Sequence, residues 1–150
     1  MLLVTWNLAL LIYTIPTMAR KRHLSRIAVM QVLFERESRE VDTDEALAIN
    51  QERLGEIDEE FANNLLLGVL VKEDEIKEAI QKHAPDWSLD RMDPIARSTL
   101  LVGGYELLFS DDAPPAVVMN EAIEIAKEYG TAESGKFVNG VLNAIANKEK

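Results

Sequence analysis

The sequence predicts an all-α protein, a bundle of seven helices arranged in two groups. Three observations carry this expectation. From Met18 onward no segment alternates apolar and polar residues with the period of two that a half-buried strand requires, whereas apolar residues recur at three- and four-residue spacing throughout. Helix-starting and helix-ending residues fall at the edges of those periodic runs, as in Asp93-Pro94 and Tyr129-Gly130. A chain of 150 residues can bury about two-thirds of its unfolded surface, so a core forms without disulfide or metal staples.

The first helix is expected over about residues 20–37, with Leu24, Ile27, Ala28, Gln31 and Phe34 on its inward face. A short second helix covers about 44–52. The third, about 58–71, is built on Phe61, Leu65 and Leu66. The fourth, about 73–84, places Ile76, Ala79, Ile80 and His83 on one side and stops at Pro85, whose ring cannot continue a helix. Trp87 is expected to pin the following linker to the core. The fifth helix, about 93–109, starts with Asp93 as N-cap and Pro94 at the first helical position, where a missing N–H breaks no bond. Its buried stripe is Leu101, Val102, Tyr105, Leu108 and Phe109. The sixth, about 115–129, aligns Val118, Ala122, Ile125 and Tyr129 and ends at Gly130, a natural C-terminal cap. The seventh, about 133–147, turns Val138, Val141, Leu142 and Ile145 inward. A seam at 85–89 divides subdomains of about 18–84 and 90–150. Gly68, Gly103, Gly104 and Gly140 fall inside these helices, at a cost of about 1 kcal/mol each relative to alanine. Close helix–helix approach is the expected compensation, and clearance for a ligand is the alternative.

Residues 1–17, MLLVTWNLALLIYTIPT, are uncharged. The apolar run is shorter than the about 20 residues a spanning helix needs. It lacks the basic start and small-residue cleavage site of a secretory signal. These residues are read as an N-terminal extension outside the domain. The alternative is an uncleaved anchor with its basic flank in the cytoplasm. Both readings place the domain in the cytoplasm.

Composition removes several function classes. There is no cysteine, which excludes disulfides and thiol chemistry and fits a reducing compartment. The two histidines, His23 and His83, have no zinc-type spacing. No phosphate-cradling glycine loop or nucleophile elbow is present. The acids at Asp58-Glu59-Glu60 and Asp74-Glu75 sit in expected first turns, where they complement the helix dipole. No catalytic residue, cofactor or metal is therefore expected.

The net charge of −10 argues against a general nucleic-acid coat, since phosphates repel a negative surface. The distribution is more telling than the sum. Residues 18–39 hold six basic side chains (Arg20, Lys21, Arg22, Arg26, Arg36 and Arg39) against two acids, whereas residues 40–150 hold ten basic against 24 acidic. That asymmetry suits a protein that meets RNA at one place and stays soluble elsewhere. A solvated helix start is the plainer alternative.

A second feature lies in the stretch 112–142, DAPPAVVMNEAIEIAKEYGTAESGKFVNGVL. Two amphipathic helices are joined at Tyr129-Gly130-Thr131, and the second carries Lys136, Phe137 and Asn139 in or near its first turn. A cation, a ring and an amide there can hold a phosphate, stack a base and read a base edge. Base–aromatic stacking contributes about 1–3 kcal/mol, and backbone amides at a helix start attract phosphate. Ser134 either caps the helix or touches RNA. Phe137 is either a stacking platform or an ordinary core residue. An RNA surface results only if the basic start of the chain and Phe137 share a neighbourhood open to water.

These segments resemble the NusB family of bacterial transcription antitermination factors. The likeness rests on PAVVMNEAIEIAK from Pro115, SGKFVNGVL from Ser134, LVGGYEL from Leu101, and Arg26 with QVLFE from Gln31, in one collinear match over about 18–146. The resemblance implies a NusB-like bundle of two helical subdomains without enzymatic activity. It implies a cytoplasmic role in rRNA transcription: binding single-stranded boxA-type RNA together with the small-subunit ribosomal protein NusE, within an RNA polymerase complex that suppresses termination. Some members form homodimers, and no membrane is involved. Carried onto this chain, the RNA-binding residues are Arg20, Lys21, Arg22 and Arg26 in the first helix and Glu133, Ser134, Lys136 and Phe137 at the start of the last. The chain departs from the family where His23, Leu24 and Ser25 interrupt the basic run, and where Ala116 and Asn143 replace a common Lys and a common Asp. Less charge for RNA shifts affinity toward the partner protein. Related domains occur fused to rRNA cytosine methyltransferases, and the end of this chain at Lys150 fits the stand-alone factor. The competing function is an acidic helical protein–protein adaptor without RNA binding, which requires Phe137 buried and the basic patch far from the last helix.

Overall fold

The structure is a computed structural model that describes residues 17–149. The extension expected over residues 1–17 lies outside the described residues except for Thr17. That residue belongs to the domain: its side chain accepts a hydrogen bond from the Arg20 amide and caps the first helix. Six α-helices follow: α1 (Met18–Glu35), α2 (Thr43–Leu54), α3 (Glu59–His83), α4 (Pro94–Phe109), α5 (Pro115–Tyr129) and α6 (Ala132–Lys148), with a 3-10 turn at Leu89–Arg91 between α3 and α4. No strand occurs among the described residues.

Local chemistry sets the helix starts. Asp42, Asp58 and Asp93 each sit in non-helical backbone before α2, α3 and α4 and accept from amides of the first turn. Pro94 and Pro115 occupy first positions of α4 and α5. The count is six and not seven because the expected third and fourth helices are one. Lys72-Glu73-Asp74-Glu75 has the look of a new acidic helix start. The structure uses those charges along a continuous helix, Lys72 pairing with Glu75 and Glu73 with Lys77 at three- and four-residue spacing. No proline or turn residue interrupts the run.

The core forms where α4 meets its neighbours. α4 packs against α1, α3, α5 and α6, and α1 packs in addition against α2 and α3. From Ser25 to Leu33 every residue of α1 except Gln31 is buried. The expected five-residue stripe therefore understates the helix: a segment flanked on several sides has no outer face to leave polar. Phe34, expected inward, is 40% exposed at the helix end, and Phe109 is 38% exposed beneath the Lys72 ammonium. Leu24, His83, Tyr105, Leu108 and Tyr129 are only partly buried, and most other stripe positions hold. Leu65, Leu66, Ile76, Ile80, Val118, Ile125, Val138, Val141, Leu142 and Ile145 are all buried, each contributing about 1.5–3 kcal/mol relative to exposure.

Close approach accounts for three of the four glycines at issue. A Cβ at Gly103 would lie 2.8 Å from Leu142 Cδ1, one at Gly104 the same distance from Ile76 Cγ2, and one at Gly68 would overlap the Tyr105 ring. Gly140 differs, because a Cβ there would meet nothing within 4 Å. Packing does not explain it. Gly140→Ala is expected to raise stability by about 1 kcal/mol, measurable as a higher urea midpoint at unchanged m. A lower midpoint would show that the exposed backbone there does something that alanine disturbs.

Candidate nucleic-acid interface

Lys and Arg at a helix start work against the macrodipole by about 0.3–1 kcal/mol each. The first turn of α1 nevertheless carries no acid and is followed at once by Arg20, Lys21 and Arg22. Because a helix turns about 100° per residue, these side chains point to different neighbours. Lys21 reaches Glu56 at 3.7 Å. Arg22 lies over the Phe61 ring, 4.8 Å from its centroid, and 3.8 Å from Asp58. Arg20 is exposed, pairs with no acid among the described residues, and faces α5, where its charge reaches the Tyr129 hydroxyl. Burial, with help from Glu128, raises the Tyr129 pKa, and Arg20 opposes that rise.

Arg26 departs from its expected role. It is 3% exposed and makes two hydrogen bonds to Glu106 of α4, Nε to Oε2 at 2.8 Å and Nη2 to Oε1 at 2.9 Å. Its guanidinium also faces the Phe61 ring and stands 3.7 Å from Glu121 of α5. A guanidinium sealed in a fork with a carboxylate cannot meet a phosphate. Arg26 joins α1 to α4 and does not belong to a surface. His23 extends this polar cluster, its Nδ1 2.5 Å from Glu121 Oε2. His23, Glu121 and Glu124 bring ligand atoms within 4.8 Å of one another, but the adjacent Arg26 already neutralises Glu121.

At the other end of the expected interface, Thr131 and Ser134 form a reciprocal capping box that starts α6. The Ser134 hydroxyl also donates to Asp93 Oδ2 at 2.6 Å. Asp93 itself caps α4. One carboxylate thus ties the starts of α4 and α6 together, and Ser134 is buried in that joint. Its hydroxyl is engaged in capping and in the bond to Asp93. Glu133 and Lys136 are exposed and face each other at 3.4 Å, a pair of little energetic weight.

Phe137 is neither sealed in the core nor free of it. It is half-buried, packed on the core by one side, and its ring meets Trp87 edge-on at 6.1 Å between centroids. Trp87 does not pin the linker into the core: it is 54% exposed. Together with Arg91, Tyr129, Thr131 and Glu133 these rings line an open groove of about 720 Å³ between the 3-10 turn and the α5–α6 corner. Of the four basic residues of α1 expected at the interface, Arg20 alone bears electrostatically on a groove residue, Tyr129, and none of the four lines the groove itself. Sequence reasoning misses Tyr129 and Arg91 as groove residues. The spacing of α5 puts Tyr129 in a buried stripe, and Arg91 lies in a 3-10 turn that has no periodicity to reveal its facing.

Comparison with known proteins agrees with this architecture. The NusB family model matches residues 23–147. The transcription antitermination protein NusB of Bacillus licheniformis is 40% identical over 126 residues, covering 83% of this chain and 95% of that protein. A structure of T. maritima NusB superposes with a TM-score of 0.76 at 37% identity, covering 85% of this chain and 91% of that one. NusB in a crystal structure with NusE and dsRNA superposes with a TM-score of 0.76 at 30% identity, covering 85% and 97%. No helix among the described residues is long and apolar enough to cross a membrane.

Proposed function

The chain belongs to the NusB family, and from that premise we propose that it is a non-catalytic, cytoplasmic antitermination factor that binds single-stranded boxA-type RNA of rRNA operons together with the ribosomal protein NusE, within the transcription complex of RNA polymerase. The observation that carries the RNA reading is the open groove shared by Tyr129 and the half-buried Phe137, with the exposed Arg20 within electrostatic reach of Tyr129. A cation without an acidic partner and a half-exposed ring are the two parts that single-strand binding needs, one for the backbone and one for a base. The family's solved complex with NusE and dsRNA supports the partner and the ligand class. The chain is further read as two helical subdomains, about 18–84 and 90–150.

Within this reading the RNA contacts are Arg20, Phe137 and Lys136, with Lys21, Arg22 and Glu133 at the margin. Lys21 and Arg22 contribute only after leaving Glu56 and Asp58. Arg20→Glu is expected to weaken binding and reduce the slope of log affinity against log salt by about 1. Phe137→Ala is expected to cost at least about 1 kcal/mol of affinity. Both are measured by titrating a boxA-type strand and a scrambled control, with and without NusE, at two salt concentrations. An Arg20→Glu slope equal to that of the unsubstituted protein would leave the acidic protein–protein adaptor as the better description.

A further inference from the structure

The groove beside Phe137, about 720 Å³, is larger than one stacked base requires, and its second ring, Trp87, is 54% exposed. We propose that Trp87 is a second stacking platform, so that the groove takes two successive unpaired nucleotides of one RNA strand, one on Phe137 and the next on Trp87. This rests on the RNA-binding reading of the same corner and assigns it a further subsite.

Three features carry the inference. First, Trp87 is 54% exposed in a turn between α3 and α4, and burying an indole face recovers substantial apolar area. Second, the two rings meet at an interplanar angle of 71°. They do not stack in parallel, so the two rings present differently oriented faces, and successive bases held on them would be splayed apart as unpaired single-stranded bases can be. Third, the groove offers a polyanion an unpaired cation, and its two carboxylates are already partnered. The carboxylates at its edge are engaged: Asp93 accepts from Ser134 and the Ile95 amide, and Glu133 faces Lys136. Arg91, which lines the groove, and Arg20, whose charge acts on Tyr129, have no acidic partner among the described residues. The backbone of Trp87 is also held in place, because Gln81 Nε2 donates to its carbonyl at 2.7 Å and the Trp87 amide donates to the Ala84 carbonyl. A ring on a fixed turn loses little freedom when a base stacks on it.

The test uses the full chain with Trp6→Phe, which leaves Trp87 as the single indole, and a short boxA-type RNA strand. RNA is expected to quench the Trp87 emission in proportion to occupancy. Trp87→Ala is expected to weaken binding by about fivefold or more, and Trp87→Phe to restore most of it. Replacing one nucleotide at a time by an abasic residue then locates the contacts. One position should lose its effect in Phe137→Ala, and the adjacent position should lose its effect in Trp87→Ala. Circular dichroism of each variant under the binding conditions excludes unfolding. If RNA binds with Phe137-dependent affinity but neither quenches Trp87 nor responds to Trp87→Ala, the second subsite is overturned while the RNA function stands. If no strand binds even with NusE present, both readings fall.

Discussion

Arg26→Ala is expected to lower the unfolding free energy by about 3–5 kcal/mol, the cost of leaving one member of a buried ion pair unpaired. A domain is stable by only about 5–15 kcal/mol, so this one substitution brings the protein close to unfolding. The cause is Glu106. Its carboxylate is 3% exposed and takes both of its short hydrogen bonds from Arg26. Without the guanidinium it must either stay charged in the core or take up a proton. Glu121, 3.7 Å away, loses a neighbour as well and keeps only His23. Glu106→Ala should cost a similar amount by stranding the arginine. The double variant Arg26→Met, Glu106→Leu should recover most of the loss, because apolar groups of similar size often replace a buried pair at little cost. Urea denaturation of the four proteins checks this. If Arg26→Ala melted normally and lost only RNA affinity, the residue would be a ligand contact after all.

Arg26 also shows where the sequence can be read and where it cannot. As one of four basic residues within seven positions, it invites a place in an electrostatic patch. Nothing in the local pattern says that its partner stands eighty positions away on α4. Facing depends on which helices surround α1, and that is a tertiary fact. The same limit explains Trp87 and Ser134. Their residue types suggest a core anchor and an RNA contact or cap, but their final roles follow from the meeting of the 3-10 turn with the starts of α4 and α6. Features set by neighbours in sequence are legible. Asp93-Pro94, Pro115 and Gly130 mark helix ends that the structure keeps, and the stripe from Val138 to Ile145 is buried as its spacing implies. The unbroken α3 escapes such reading because a local signal, four charged residues in a row, resembles a helix start and instead serves a continuing helix.

Gly68→Ala is expected to lower stability by about 1–3 kcal/mol, the range for forcing extra volume into a packed interior. The substitution should help on local grounds, since alanine is the better helix former by about 1 kcal/mol. The contact overrides that preference. A Cβ at position 68 would overlap Cζ, Oη and Cε2 of Tyr105 on the facing helix α4. The ring is braced by Phe109, 6.0 Å away between centroids, and it borders a cavity of about 310 Å³ with Arg22, Phe61 and Asn64. Swinging into that space opens the α3–α4 seam without refilling it. The decisive measurement places the same substitution in a Tyr105→Ala background. With the ring gone the new methyl group has room, so the effect of Gly68→Ala should reverse sign and stabilise by about 1 kcal/mol relative to that background. Equal losses in both backgrounds would mean that the backbone of α3, and not the tyrosine, demands the glycine.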